Sequence, residues 1–302
     1  MAFAIGLRFY KITIRKKGDI DPLEIGPDGE PCDFIDFVET FVKSREEPTD
    51  EEDSQRTWFF EPVKTELIRT IHGLISYGTH GFEAKIKDRK TKKKKYDRLP
   101  DDLEEVPLYF QYWVPSGARC AFAGFQSFQG RSCVSFVQRS MTDAFKAKFP
   151  GYSLRFNILA PGEMMDANAP VKSITFTRPN TASDSADKKW DAKSFDEAEY
   201  ELTVRAKRRG GVLATLKELA VKLPPNKDGF VEFEGESYES VRADVKIGNK
   251  RRVVGLFGSG GDAGLIDVTE IIKTDRSGHP TFESLANEVD DWMSKFYAGI
   301  KT

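Results

Sequence analysis

The chain has 302 residues, with 46 Lys and Arg against 48 Asp and Glu, a formal net charge of −2 and a pI of about 6.1. That balance excludes a uniformly basic, histone-like surface, so any contact with a polyanion must be local. Hydrophobic residues make up 39% of the chain and aromatic ones 12%, ample for a packed core, and no apolar run approaches the roughly 20 residues of a membrane span.

In chain order, "LRFYKITIRK" puts Tyr10, Ile12 and Ile14 on one face at period two and predicts a strand. The wider N-terminus, "MAFAIGLRFYKITIRKKG", lacks a basic n-region followed by an apolar stretch, so no signal peptide is expected. "DFIDFVETFVKS" puts Phe34, Val38, Phe41 and Val42 on one helical stripe, with Asp33 as N-cap. The acidic loop "EEPTDEED" follows, and then strand-like runs at "TWFFEPV", "LIRTIHGLISYG" and "GFEAKIKD".

A lysine cluster comes next, placed by its neighbours in a loop between strands. "VPLYFQYWV" and "ARCAFAGFQSFQG" read as strands, "SCVSFVQRSMTDAFKAKF" as a helix, and "YSLRFNILAP" and "VKSITFTRP" as two more strands. A polar run poor in aliphatics begins at Asn180 and reads as a linker. Beyond it come a strand ("YELTVRAKRR"), a helix ("GVLATLKELAVKL"), two strands ("GFVEFEG", "ESVRADVKIG") and a hairpin from "RRVVGLF" to "GLIDVTEII". The chain closes with an amphipathic helix whose stripe holds Leu285, Val289, Trp292, Met293, Phe296, Tyr297 and Ile300.

The expected fold is therefore α+β, with mostly antiparallel sheets, a few packed helices and a two-part architecture. The expected domains are 1–179, a polar linker over 180–198, and a basic C-terminal domain over 199–302. Cys32, Cys120 and Cys133 form no metal-like spacing, and their odd number argues against a disulfide framework. A reducing cytoplasm is the expected compartment.

Motifs for chemistry are sparse. "GLFGSGGDAG" has the glycines of a phosphate loop, but the β-branched "LIDVTEII" after it predicts a strand rather than the helix such a loop needs. His72, His80 and His279 lie in no nucleophilic or zinc-binding pattern, so no catalytic residue, metal or cofactor is assigned. Two alternatives stay open: a protein-interaction module whose basic and acidic patches pair between subunits, and a metal-dependent nuclease effector. "ADVK" offers Asp244 and Lys246, with Glu232 and Glu234 on the preceding strand, and "FEAK" offers Glu83 and Lys85. Strand alternation alone also puts an acid and a lysine two residues apart on one side.

The basic clusters argue together. Lys85 to Arg98 includes Lys92, Lys93 and Lys94. "RAKRRGG" supplies Arg205, Lys207, Arg208 and Arg209, and "KIGNKRR" supplies Lys246, Lys250, Arg251 and Arg252. Two clusters at strand ends of one domain point to a shared face that neutralises phosphates without reading bases. Gly210-Gly211 before a helix would add backbone amides for an anion. Sequence-independent DNA binding is the expectation. Arg208, Arg209, Arg251 and Arg252 are its expected main contacts, and Lys90–Lys95 is expected to be a loop tip adding only general attraction.

The order of elements from about Leu99 onward resembles the RexA-type phage-exclusion proteins. The stretches that carry it are "LPDDLEEVPLYFQYWVPSGARCAFAGF", "YSLRFNILAPGE", "VKSITFTRP", "LTVRAKRRGGVLATLKELA" and "SVRADVKIGNKRRVVGLF". The resemblance implies a DNA-binding homodimer, encoded by a prophage, that works with a membrane-protein partner in abortive infection. Arg205, Lys207, Arg208 and Arg209 are the positions it carries over. The family's basic run extends further into the helix, whereas "GGVLATL" interrupts it here.

Overall fold

A computed structural model describes residues 5–63, 67–159, 168–179, 199–207, 211–224, 230–247, 250–258 and 264–301. The architecture is α+β with antiparallel ladders. The chain forms two compact units, one built from Tyr10–Asn157 and the other from Ile5–Phe9 with Ile158–Thr302.

The first unit takes most of β1 (Ile5–Lys16), followed by α1 (Phe34–Lys43), β2 (Thr49–Glu51), β3 (Arg56–Val63) and β4 (Thr70–Thr79). Next come β5 (Ala84–Lys87), β6 (Lys94–Arg98), β7 (Glu104–Trp113), β8 (Ala121–Phe128), α2 (Val134–Lys148) and β9 (Tyr152–Ile158). Its strands run in the order β1-β8-β7-β4-β3-β2, with β9 also on β1. Phe34, Phe37, Val38, Phe41 and Val42 of α1 are buried, the i, i+3, i+4, i+7, i+8 stripe of a helix lying on a core.

Aromatic rings link the helices to the sheet. Phe37 meets Phe145 edge-on at 5.1 Å, Phe41 meets Phe60 at 5.9 Å, and Phe60 meets Phe110 at 4.7 Å. Such pairs add about 0.5–1.5 kcal/mol each beyond the area they bury. Alternation sends the neighbouring strand positions to the other side of the sheet. There the Tyr109 hydroxyl donates to Gln111 Oε1 at 2.6 Å and lies 3.0 Å from His72 Nδ1. His72 thus belongs to a buried hydrogen-bond network.

The second unit contains β10 (Pro170–Pro179), β11 (Glu199–Arg205), β12 (Ala214–Thr215), α3 (Leu216–Lys222), β13 (Val231–Phe233) and β14 (Glu236–Tyr238). It continues with β15 (Ser240–Ile247), β16 (Lys250–Gly258), β17 (Ile266–Asp267) and α4 (Phe282–Lys301). Its strand order is β11-β10-β15-β16-β17, and β17 pairs with Gly6 and Leu7 of β1. Phe9 stacks on Trp292 at 6.0 Å and packs on Phe296 at 5.5 Å. The Leu285, Val289, Trp292, Met293 and Phe296 stripe of α4 is therefore core of its own chain, not a free face.

Four details differ from the sequence reading. Strand β10, placed in 1–179 by composition, pairs with β11 and β15 and so belongs with the second unit. Composition is local, whereas the partner strand β15 lies some 70 residues further on, and Ser173 reaches Asp244 across 71 positions.

The helix after Gly211 starts only at Leu216. Thr215 accepts from the Glu218 amide at 3.2 Å, and Glu218 accepts from the Thr215 amide at 2.9 Å, a capping box that fixes the start. Gly211 therefore does not sit at the helix N-terminus, and Gly210 lies outside the described residues. "VTEII" continues β17 only as a turn, because Ile271 and Ile272 donate back to Val268 O. Finally, the lysine cluster is not all loop, since Lys94 and Lys95 belong to β6. The 180–198 linker lies outside the described residues.

Candidate nucleic-acid interface

The β11-β10-β15-β16 sheet sorts its residues by register. Ile174 stands opposite Val204 and Ala243, and Phe176 opposite Leu202 and Val241, which gives one apolar face. Phe233 and Tyr238 of the β13–β14 hairpin cover that face, with Phe233 stacked on Phe176 at 4.4 Å. One position along, Ser173 stands opposite Arg205 and Asp244, and Thr175 opposite Thr203 and Arg242. This second face is polar.

Exposed Arg205 and Lys246 lie on the polar face, and Lys207 follows the end of β11, also exposed. Arg251 registers opposite Lys246, and Arg252 opposite Val245. Lys250 registers opposite Ile247. The backbone of these three residues is described and their side chains are not. Arg208 and Arg209 lie outside the described residues.

Two basic residues escaped the sequence reading. Arg242 is half-buried on the polar face, and its place two residues before Asp244 in "VRADVK" is a signal that alternation carries. Lys172 is exposed where the β10–β15 register shifts between Val171 and Ser173. A bulge of this kind leaves no mark in hydrophobic periodicity. Arg205, Lys207, Arg242, Lys246 and Lys172 lie on and around this face, where register also places the acids Glu199, Glu201, Asp244 and Asp267.

Hydroxyls fill the space between the charges. Thr175 and Thr203 Oγ1 lie 3.2 Å apart, and Ser173 Oγ donates to Asp244 Oδ2 at 3.4 Å. Ser and Thr hydroxyls are among the groups that donate to phosphate oxygens.

The nuclease pattern is not assembled. Asp244 is buried whereas Lys246 is exposed. Glu232 belongs to the separate β13–β14 hairpin, where Ser237 donates to it, and Glu234 sits in the turn of that hairpin. Glu83 precedes β5 in the other unit. Among the described residues, no group of three or more His, Cys, Asp or Glu is placed to hold a metal ion.

Lys92, Lys93 and Lys94 lie in the first unit, on the β5–β6 hairpin. Asp88 organises its turn, accepting from the amides of Lys90 at 3.0 Å and Thr91 at 2.8 Å. The Thr91 hydroxyl donates to the same oxygen at 3.0 Å, and the Asp88 amide donates to Lys93 O at 2.8 Å. The Thr91 amide, with the other donors beside it, holds the Asp88 carboxyl below its usual range. Lys94 pairs with Asp97, and Lys95 lies 3.8 Å from Asp88.

At the root of the hairpin, Arg98 is buried. It donates to Thr79 O and to Asp102 O, pairs with Glu104 at 3.2 Å, and lies 4.0 Å from the centroid of the Phe82 ring. No family model and no curated protein matches the chain. Among the described residues, no helix is long and apolar enough to cross a membrane.

Proposed function

We propose that this protein binds double-stranded DNA through the phosphate backbone, with little sequence preference, and serves in phage exclusion or antiviral defence. The observation that carries the binding reading is the polar face of the second unit, where register gathers Arg205, Arg242 and Lys246 in a field of Ser and Thr hydroxyls. Backbone contacts need cations and hydroxyl donors, not base-reading forks held in a groove, and that is the chemistry of this face.

The role in exclusion, the homodimer and the membrane-protein partner rest on the resemblance to RexA-type proteins alone, and a cytoplasmic site follows from that role. A two-fold dimer would double the phosphates one sheet face can reach. With the α4 stripe committed to the core, the interface has to be built elsewhere.

A mobility-shift titration with unrelated duplexes, with and without Mg²⁺, tests the reading. Retardation of every duplex without nicking supports it. Nicking would turn it toward the nuclease, and no retardation at low salt would end it.

A further inference from the structure

The β5–β6 hairpin carries eight exposed bases between Lys85 and Lys95, against the acids Asp88 and Asp97. Both acids are engaged within the hairpin, Asp88 by the turn and Asp97 by Lys94. Six of the bases, Lys85, Lys87, Arg89, Lys90, Lys92 and Lys93, form no ion pair among the described residues.

Lys87 registers directly opposite Lys94. Asp97, opposite Lys85 and paired with Lys94, offsets part of the repulsion between these like charges, and the six unpaired bases leave a local excess of positive charge that a bound anion would relieve. Lys92, with a φ of 61°, takes the left-handed position that a tight hairpin turn calls for, which helps to fix the tip.

The arm is ordered before any ligand arrives. Asp88 closes the tip and Arg98 anchors the root, so the entropy that ordering a free loop would cost, about 1–2 kcal/mol per residue, is already spent in folding. This removes the entropic ground for setting Lys90–Lys95 behind the arginines and leaves the planar fork of arginine as the other.

Shape selects the partner. Two paired strands lie about 4.8 Å apart, and with side chains they match a major groove about 12 Å wide and 8.5 Å deep. The minor groove, about 6 Å wide, takes a ribbon only where the duplex is widened or bent, at a deformation cost. In A-form RNA the major groove is too deep and narrow for side chains to read.

We propose that the β5–β6 hairpin is a pre-ordered basic arm that lies in the major groove of B-form duplex DNA. The inference rests on reading the chain as a DNA binder, and it adds a second contact, on the unit that does not carry the polar sheet face.

The test replaces four bases that hold no ion pair, in a variant combining Lys87→Gln, Lys90→Gln, Lys92→Gln and Lys93→Gln. Binding is measured by fluorescence anisotropy against a DNA duplex, an RNA duplex of the same sequence, the single DNA strand and anionic lipid vesicles. The native protein should prefer the DNA duplex to the RNA duplex by about tenfold or more, because only B-form DNA offers the groove. The variant should lose that preference, and the slope of log K against log salt on DNA should shrink by about 3–4. Its melting temperature should be no lower than the native one, since Arg98 and Asp88 are untouched and like-charge repulsion is reduced.

A variant that binds DNA as the native protein does would overturn the arm while leaving the sheet-face reading intact. Equal native affinity for both duplexes would overturn groove entry, as would tighter binding to the single strand or to vesicles. If the native protein binds no nucleic acid at all, both readings fall together, and that result is distinct from the others. A variant that aggregates while its soluble fraction keeps full DNA affinity would assign the lysines to edge protection and overturn the proposal.

Discussion

Arg69 grips Asp33 through two parallel hydrogen bonds, Nη2 to Oδ1 at 2.7 Å and Nη1 to Oδ2 at 2.9 Å. The same carboxylate caps α1 by accepting from the Ile35 amide at 3.2 Å, and Arg69 Nε donates to Val114 O at 2.9 Å. One clasp therefore ties the start of α1 to the approach to β4 and the end of β7. Asp33→Ala removes a helix cap and leaves a largely buried guanidinium half-satisfied, so the unit should lose about 2–4 kcal/mol by denaturant titration. A loss no larger than that of an exposed helix substitution would show that the clasp is ornamental.

The same pair sets a pH dependence. The Arg69 hydrogen bonds hold the Asp33 carboxyl below its usual value. Its contribution to stability is then complete above the unfolded-state pKa, about 3.9, and is lost as pH falls through the lower folded value. Acid unfolding of the native protein should be steeper below about pH 4 than that of Asp33→Asn, which keeps the cap but not the charge.

Duplex binding should be dominated by salt. If about six phosphates are contacted, log K should fall against log salt with a slope near −5, and unrelated sequences should give the same line. Replacing Arg205 and Lys246 together with Ala should lower affinity uniformly across sequences and reduce the slope by about 2. A shallow slope with one strongly preferred site would contradict backbone binding.

Trp292 donates from Nε1 to Glu288 at 2.9 Å and stacks on Phe9, with no exposed surface. Trp292→Ala should cost about 3–5 kcal/mol through the cavity and the lost contacts. Its oligomeric state by light scattering should not change. A change of state at unchanged stability would return the α4 stripe to an interface role.

Burial pushes the Cys133 thiol up to about 12 and also raises Cys120 and Cys32. Thiolate is the reacting form, so a thiol reagent near neutral pH should titrate the native protein slowly and the denatured protein quickly. Rapid native labelling at Cys133 would show that its surroundings open.

How much of this was legible follows the range of each signal. The α1 stripe, its Asp33 cap and the α4 stripe were readable because period and capping are local, and the structure holds Phe34 to Val42 and Leu285 to Phe296 as those periods require. Strand β5 was legible in "GFEAKIKD", but its partner β6 was not, because no apolar residue stands between Arg89 and Tyr96 to mark a strand; the hairpin's order comes from Asp88 at one end and Arg98 at the other. The clasp partner Arg69 was invisible for a different reason. It meets Asp33 across 36 positions, and nothing in the sequence near either residue points to the other.

Strand β1 is shared, with Ile5–Phe9 in one unit and Tyr10 onward in the other. The Ile5 amide donates to Thr269 Oγ1, a partner 264 positions later. At the ribosome, with synthesis near 5–20 residues per second, the apolar start of that strand waits on the order of tens of seconds for its mate. Ile5, Leu7 and Phe9, all buried in the finished fold, are thus made long before the strand and helix that cover them. A nascent chain halted before α4 should leave this end of the strand open to protease and to holding chaperones. The released chain should close over it.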